Sequence, residues 1–206
     1  MNLDNKSLDK KYKKTLLNVY NQDYLKGYGK KQSEWKKSQS EYFGGFLKTY
    51  NKTSILDLGC GRGNESLFFQ EQGYDVTSID LSEEAVNICI SRGLKAIQMD
   101  FYSLSFPDSS FDAIFAQSSI VHVPKNNLDI VLNEVYRCLK QDGLFFLGLY
   151  KGYFEGELFR NKDRYFSMYQ MDEIQTHLES KFIILDENHF RPTRLERYVS
   201  LILKKK

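Results

Sequence analysis

No stretch of this 206-residue chain approaches the roughly twenty consecutive apolar residues that a bilayer-crossing helix requires. The opening segment Met1-Asn2-Leu3-Asp4-Asn5-Lys6 has no apolar core of the kind a secretory signal carries, so the expected compartment is the cytoplasm. Cysteine is scarce: Cys60, Cys89 and Cys138 are odd in number and too scattered for a metal knot, which excludes a disulfide scaffold and points to reduced thiols. No metal site is expected. With only three prolines, and no proline-rich linker, repeat or low-complexity tract, nothing marks a boundary between independent domains. Charge of neither sign dominates, since the formal net charge is +2. That balance conceals an asymmetry, with 11 lysines against 5 acids over residues 1–50 and an excess of acids after them. The basic front end interleaves lysine with Tyr20, Tyr24, Tyr28 and Trp35. It reads either as a solvated face or as an attraction for acidic partners.

What is present is a core large enough for one α/β unit, at 41% hydrophobic content. The most informative stretch is Ile55-Leu56-Asp57-Leu58-Gly59-Cys60-Gly61-Arg62-Gly63. A short β-compatible run stops at three alternating glycines, and helix formers follow from Asn64. Glycine there permits positive φ and lets a ligand approach the main chain without meeting a Cβ. Asp80 ends a second apolar run about twenty residues on, where nucleotide-binding α/β units place the carboxylate that accepts from ribose hydroxyls. Asp100 ends a third run and is followed by Phe101, an acceptor beside an aromatic face that suits an adenine amino group and ring. A dehydrogenase fingerprint wants glycine where Asn64 stands, and no Gly-Lys-Ser or Gly-Lys-Thr completes a P-loop.

With those residues in view, the chain resembles the class I S-adenosylmethionine-dependent methyltransferases, in their compact small-molecule form, from about Phe43 onward. Phe111 to Ala116 and Ile120-Val121-His122-Val123-Pro124 resemble that family's fourth strand and the segment after it. Leu139-Lys140-Gln141-Asp142-Gly143-Leu144 resembles the turn before its fifth, with Gln141 and Asp142 departing from the usual proline and glycine. The resemblance implies a Rossmann-like α/β fold: seven strands, mostly parallel with an antiparallel last strand, and helices on both faces. It implies S-adenosyl-L-methionine as cofactor, held by Asp57, Gly59, Cys60, Gly61, Gly63, Asp80, Leu81, Asp100, Phe101 and Gln117. Residues 1–50 are expected to form a helical lid segment over a globular unit at 51–206. Leu16, Leu17, Tyr20 and Tyr24 give one helical stripe and Tyr42, Phe43, Phe46, Leu47 and Tyr50 another, broken by Gly27 and Gly29.

Methyl transfer from a sulfonium needs alignment and dryness more than a nucleophile. His122 is the candidate catalytic base, with packing of the turn before Pro124 as its other reading. The aromatic segment after the fifth strand is expected to be a loop that contacts the acceptor through Tyr150, Arg164, Tyr165 and Tyr169, the arginine clamping a carboxylate; the alternative is that Tyr165 and Phe166 plug the sheet edge with Arg164 paired on the surface. Gln117-Ser118-Ser119 stands where an amino-directed nucleic-acid methylase shows Asn/Asp-Pro-Pro-Tyr, so the acceptor is expected to be the oxygen or nitrogen of a small molecule. An RNA methyltransferase, drawing on the basic N-terminus and Lys204-Lys205-Lys206, and a non-catalytic cofactor-binding regulator are the other two readings. No membrane partner is expected, and a monomer or homodimer fits equally well.

Overall fold

The computed structural model describes residues 3–158 and 164–206, with side chains described from residue 10 onward. Among them no helix is long and apolar enough to cross a membrane. Two helices, α1 (Leu3–Leu25) and α2 (Glu34–Thr49), precede an alternating α/β run. That run comprises β1 (Ser54–Leu58), α3 (Asn64–Glu71), β2 (Asp75–Asp80), α4 (Glu83–Ser91), β3 (Lys95–Gln98), β4 (Phe111–Gln117), α5 (Leu128–Cys138) and β5 (Leu139–Tyr150). There follow β6 (Glu155–Leu158), β7 (Arg164–Ser167), α6 (Met171–Leu178), β8 (Phe182–Phe190) and β9 (Tyr198–Lys205).

The main sheet has seven strands in the order β3-β2-β1-β4-β5-β9-β8. The first five run parallel, and β9 inserts antiparallel to both β5 and β8. This is the mostly parallel, doubly wound sheet that the strand and helix patterns imply. Central strands are buried on both faces: Ile55, Leu56 and Leu58 of β1 and Ala113 to Ala116 of β4 have no exposed surface. The stripe Leu128, Val131, Leu132, Val135 and Cys138 turns one face of α5 onto the sheet. Ser82 caps α4 by accepting the Ala85 amide hydrogen at 3.1 Å, and Glu83 and Glu84 sit in its positively polarised first turn.

Two elements differ from expectation. The segment after β5, read as a loop, contains a two-stranded sheet, β6 against β7. Period-2 patterning is weak there, because all four β7 residues, Arg164 to Ser167, are buried, so no polar face alternates. The turn at Asp142 (φ 57°) lies inside β5, whose pairing with β4 shifts register between Phe111 and Ala113.

The strand order reverses between β1 and β4, which are neighbours of opposite crossover direction. Such a switch point opens a crevice at the carboxyl ends of the strands. α2 packs its Phe43 and Leu47, both without exposed surface, onto Phe69, Phe115 and Phe146. α1 instead lies across the crevice and closes it.

Candidate functional site

The crevice is lined by α1, by the carboxyl ends of β1, β2 and β3, by the turn after β4, and by β7. Its floor begins at the glycine loop. Gly59 takes φ 79°, and a Cβ on it would lie 2.5 Å from Ser119 Cβ. Gly63 takes φ 71° at the start of α3, where a Cβ would meet Leu94 Cδ1 at 2.5 Å. Left-handed backbone and close approach therefore both demand glycine.

Asp80 ties the loop to β2. Its Oδ2 accepts the Gly61 amide at 2.9 Å and its Oδ1 the Ser82 amide at 2.8 Å. Burial raises its pKa, while these amide bonds oppose the rise. Asp100 stands two residues beyond β3, where Oδ1 accepts the Tyr102 amide at 3.0 Å and Oδ2 accepts Lys13 Nζ at 2.8 Å. The Lys13 ammonium also lies 3.4 Å from the centre of the Tyr102 ring.

His122 ends a single 3-10 turn, Ile120–His122. Its Nδ1 lies 2.8 Å from the Tyr165 carbonyl oxygen, which only accepts, so the ring hydrogen sits on Nδ1. Nε2 is consequently an acceptor, and the Tyr20 hydroxyl donates to it over 2.8 Å. Phe166 packs edge-on against the imidazole at 4.7 Å. Burial, reinforced by the positive charge of Arg164, pushes the imidazole pKa down to about 4 and keeps the ring neutral at physiological pH.

Of the residues singled out in the sequence, Gly59, Asp80, Leu81, Asp100, Phe101, His122 and Tyr165 come together on the crevice wall. The remaining ones lie off it. Asp57 is buried beneath the loop, where its Oδ2 accepts the Ser66 hydroxyl and Ser66 in turn accepts from Ser78 at 2.8 Å. Burial pushes its carboxyl up to about 7, the Ser66 bond opposing. The Cys60 thiol faces away, 3.7 Å from Cys89 Sγ in a small apolar cluster with Leu94. Gly61 and Gly63 serve the loop's backbone path. Gln117 ends β4 with both amide atoms buried and without a partner among the described residues.

The segment predicted to contact the acceptor divides. Tyr165 reaches the crevice, stacks on Tyr12 at 4.4 Å and donates to Glu155 at 2.7 Å. Arg164 lies off the crevice, 8% exposed. Its Nη2 donates to Asp23 at 3.1 Å and its guanidinium lies 4.6 Å from the Tyr20 ring centre and 5.6 Å from that of Tyr28. Tyr150 packs edge-on to Tyr198 at 5.2 Å, and Tyr169 is 1% exposed beneath Lys125.

Most of the wall was not singled out as a site at all: Tyr12, Lys13, Leu16, Leu17, Tyr20 and Tyr24 from α1, with Ser82, Met99, Tyr102, Ser118 and Ser119. The signal for α1 was its Leu16, Leu17, Tyr20 and Tyr24 stripe, which shows that a face is covered without showing what covers it.

The fold is the one seen in S-adenosyl-L-methionine-dependent methyltransferases of known structure. Residues 56–147 match the family model described as a methyltransferase domain. A sterol 24-C-methyltransferase of Gibberella zeae is 36% identical over 106 residues, 47% of this chain and 27% of that protein. The chain thus spans about a quarter of that relative's length. The magnesium protoporphyrin IX methyltransferase of Synechocystis PCC 6803, solved with bound cofactor, superposes with a TM-score of 0.74 at 14% identity, over 95% of this chain and 97% of that one. A 1,6-didemethyltoxoflavin N1-methyltransferase of Burkholderia thailandensis, solved with its acceptor and S-adenosylhomocysteine, gives 0.71 at 19% identity, over 92% and 88%.

The residues present fit that cofactor. A Cβ on Gly59 would clash with Ser119, and beside it the Ser119 hydroxyl and the Gln117 amide are buried polar groups with no partner among the described residues. Such groups are costly unless a ligand satisfies them.

Proposed function

We propose that the chain transfers a methyl group from S-adenosyl-L-methionine to an oxygen or nitrogen of a small-molecule acceptor, with His122 as the base. One observation carries this reading: a neutral imidazole, oriented by the Tyr165 carbonyl at Nδ1 and bonded to the Tyr20 hydroxyl at Nε2, stands on the same crevice wall as the carboxylates of Asp80 and Asp100. Asp80 would hold the ribose hydroxyls and Asp100 with Phe101 the adenine. The Gly59 loop with Ser119 and Gln117 would hold the amino-acid end. When bound, the cofactor supplies an activated methyl group on a sulfonium. His122, its Nδ1–H anchored on the Tyr165 carbonyl, removes the acceptor proton when Nε2 exchanges the Tyr20 hydroxyl for the acceptor. α1 acts as the lid over both ligands and excludes water through Tyr12, Leu16, Leu17 and Tyr20. The lysines of that helix fit a solvated face: Lys10, Lys11 and Lys14 are exposed and Lys13 is committed to Asp100. The cytoplasm is the compartment proposed, on the scattered thiols of the chain.

Methyl-labelled cofactor incubated with the protein and a cell extract tests this. Label is expected in the small-molecule fraction and to fall about 100-fold in rate with His122→Ala, the usual scale of a general base. Label in RNA, or none above background with the cofactor bound, overturns the assignment.

A further inference from the structure

Resting on the proposed cofactor assignment, we infer that Tyr198 is a positioning residue for the amino-acid end of the cofactor: its hydroxyl reaches across β5 and holds Ser118 in the backbone conformation that seats Gln117 and Ser119. Tyr198 is not on the crevice wall and acts through Ser118, which is.

Ser118 is the joint. Four non-glycine residues among those described take positive φ, namely Asn51, Ser109, Ser118 and Asp142, and of these Ser118 alone lines the crevice, at φ 59°. An L side chain adopts that region reluctantly and keeps it only where its surroundings hold it there. The two neighbours of Ser118 carry the Gln117 amide and the Ser119 hydroxyl, buried polar groups without a partner among the described residues. Ser119 is also the residue against which Gly59 is fitted. The backbone angles at Ser118 set how these two groups are directed relative to one another. Whatever fixes Ser118 therefore fixes the corner assigned to the amino-acid end.

The support comes from two strands away. Tyr198 opens β9, and its hydroxyl shares a hydrogen bond of 2.9 Å with the Ser118 hydroxyl. The Ser118 amide donates to the Gly148 carbonyl of β5 at 3.2 Å. Because β5 lies between β4 and β9, the phenol must pass over it. Gly148 is where it passes: a Cβ there would run into the Tyr198 hydroxyl oxygen and lie 3.0 Å from Cζ. Glycine in a strand interior weakens the strand and marks such a close approach. The ring has no exposed surface and is packed by Trp35 of α2 at 5.0 Å, Phe190 of β8 at 5.1 Å and Tyr150 of β5 at 5.2 Å, so it cannot swing aside. The hydroxyl and the strand glycine add nothing to that apolar packing. What they supply is the bond to Ser118.

The test uses the full chain with two probes, S-adenosylhomocysteine and 5′-methylthioadenosine, which keeps the adenosyl thioether and lacks the amino-acid end. Calorimetry measures affinity and circular dichroism the fold. Tyr198→Phe keeps the packed ring and removes the bond. It should weaken S-adenosylhomocysteine about tenfold, the scale of a left-handed residue losing its support, while 5′-methylthioadenosine affinity stays within about twofold. Glycine takes positive φ unaided, so in a Ser118→Gly background Tyr198→Phe should cost less than about twofold. Ser118→Ala removes the same bond from the other side; it should match Tyr198→Phe and stands in for it should that variant fold poorly. Equal losses for both probes, a loss of S-adenosylhomocysteine affinity below about threefold, or the same loss in the Ser118→Gly background overturns the positioning role and leaves the methyltransferase reading standing. Absence of S-adenosylhomocysteine binding by the unaltered chain instead overturns the underlying reading.

Discussion

Tyr20 and His122 stand 102 residues apart in the chain and share a hydrogen bond of 2.8 Å, phenol to Nε2. The bond joins the closing helix α1 to the turn after β4. The position of α1 and the surroundings of the imidazole are therefore linked: moving α1 away removes both the Nε2 partner Tyr20 and the cover of the crevice.

The neutral state of that imidazole has a thermodynamic signature. In the unfolded chain His122 takes up its proton near pH 6.5, but in the fold only near pH 4. Between those values the unfolded chain binds more protons, so this group's contribution to stability rises with pH, from nothing below about 4 to a plateau above 6.5, by up to about 3 kcal/mol. His122→Gln should lose that rise. The check is urea unfolding at intervals from pH 4 to 7; an unchanged slope in the variant would contradict a buried neutral ring.

Asp57 carries the opposite sign. Its carboxyl is pushed up to about 7 in the fold, with burial the largest cause and the negative charges of Glu65 and Asp80 adding to it. From about pH 4 to 7 the folded state holds the extra proton, so stability falls as pH rises through that window. In the wild-type chain the two windows overlap and partly cancel. Asp57→Asn, which keeps an acceptor for Ser66, should therefore be more stable than wild type at pH 8 and indistinguishable from it near pH 4. Melting temperatures across this range measure it, and a variant less stable at pH 8 would count against the buried, raised carboxyl.

Gly59→Ala places a Cβ 2.5 Å from Ser119 Cβ at φ 79°. The left-handed backbone alone costs about 1–2 kcal/mol, and the clash pushes the Ser119 turn from the loop. Cofactor affinity should fall at least tenfold with the fold retained, as read by calorimetry beside circular dichroism. Affinity equal to wild type would show that the ligand does not use this corner.

The Arg164–Asp23 pair pins α1 onto β7 with both side chains at least nine-tenths buried. Removing one member strips a buried charge of its ion-pair partner, at a cost of about 3–5 kcal/mol. Arg164→Ala should lower the melting temperature by about 10 °C. The double variant Asp23→Leu/Arg164→Met should recover most of that loss. A fully stable Arg164→Ala would mean that the pair does not hold the helix.

The sheet was legible because its signals are local. Buried parallel strands read as short apolar runs, as in Ile55 to Leu58, and the glycines at 59, 61 and 63 mark the only backbone that fits the loop. Asp80, Asp100 and His122 could be placed because each follows directly on such a strand or lies in the turn after one. The α1 contribution was not legible. Tyr12, Tyr20 and Tyr24 look like any helical stripe, and their partners, Tyr165, His122 and the Gly61 loop, lie tens of residues away. Arg164 was misplaced for the same reason: its role is set by Asp23, 141 residues earlier, a pairing that no local pattern encodes.

Calorimetric titration of the purified chain with S-adenosylhomocysteine tests the central claim most directly. One saturable site per chain, weakened at least tenfold by Asp80→Ala with the fold unchanged, is the predicted result. No binding heat for either S-adenosylhomocysteine or S-adenosylmethionine, or binding indifferent to Asp80→Ala, would contradict it.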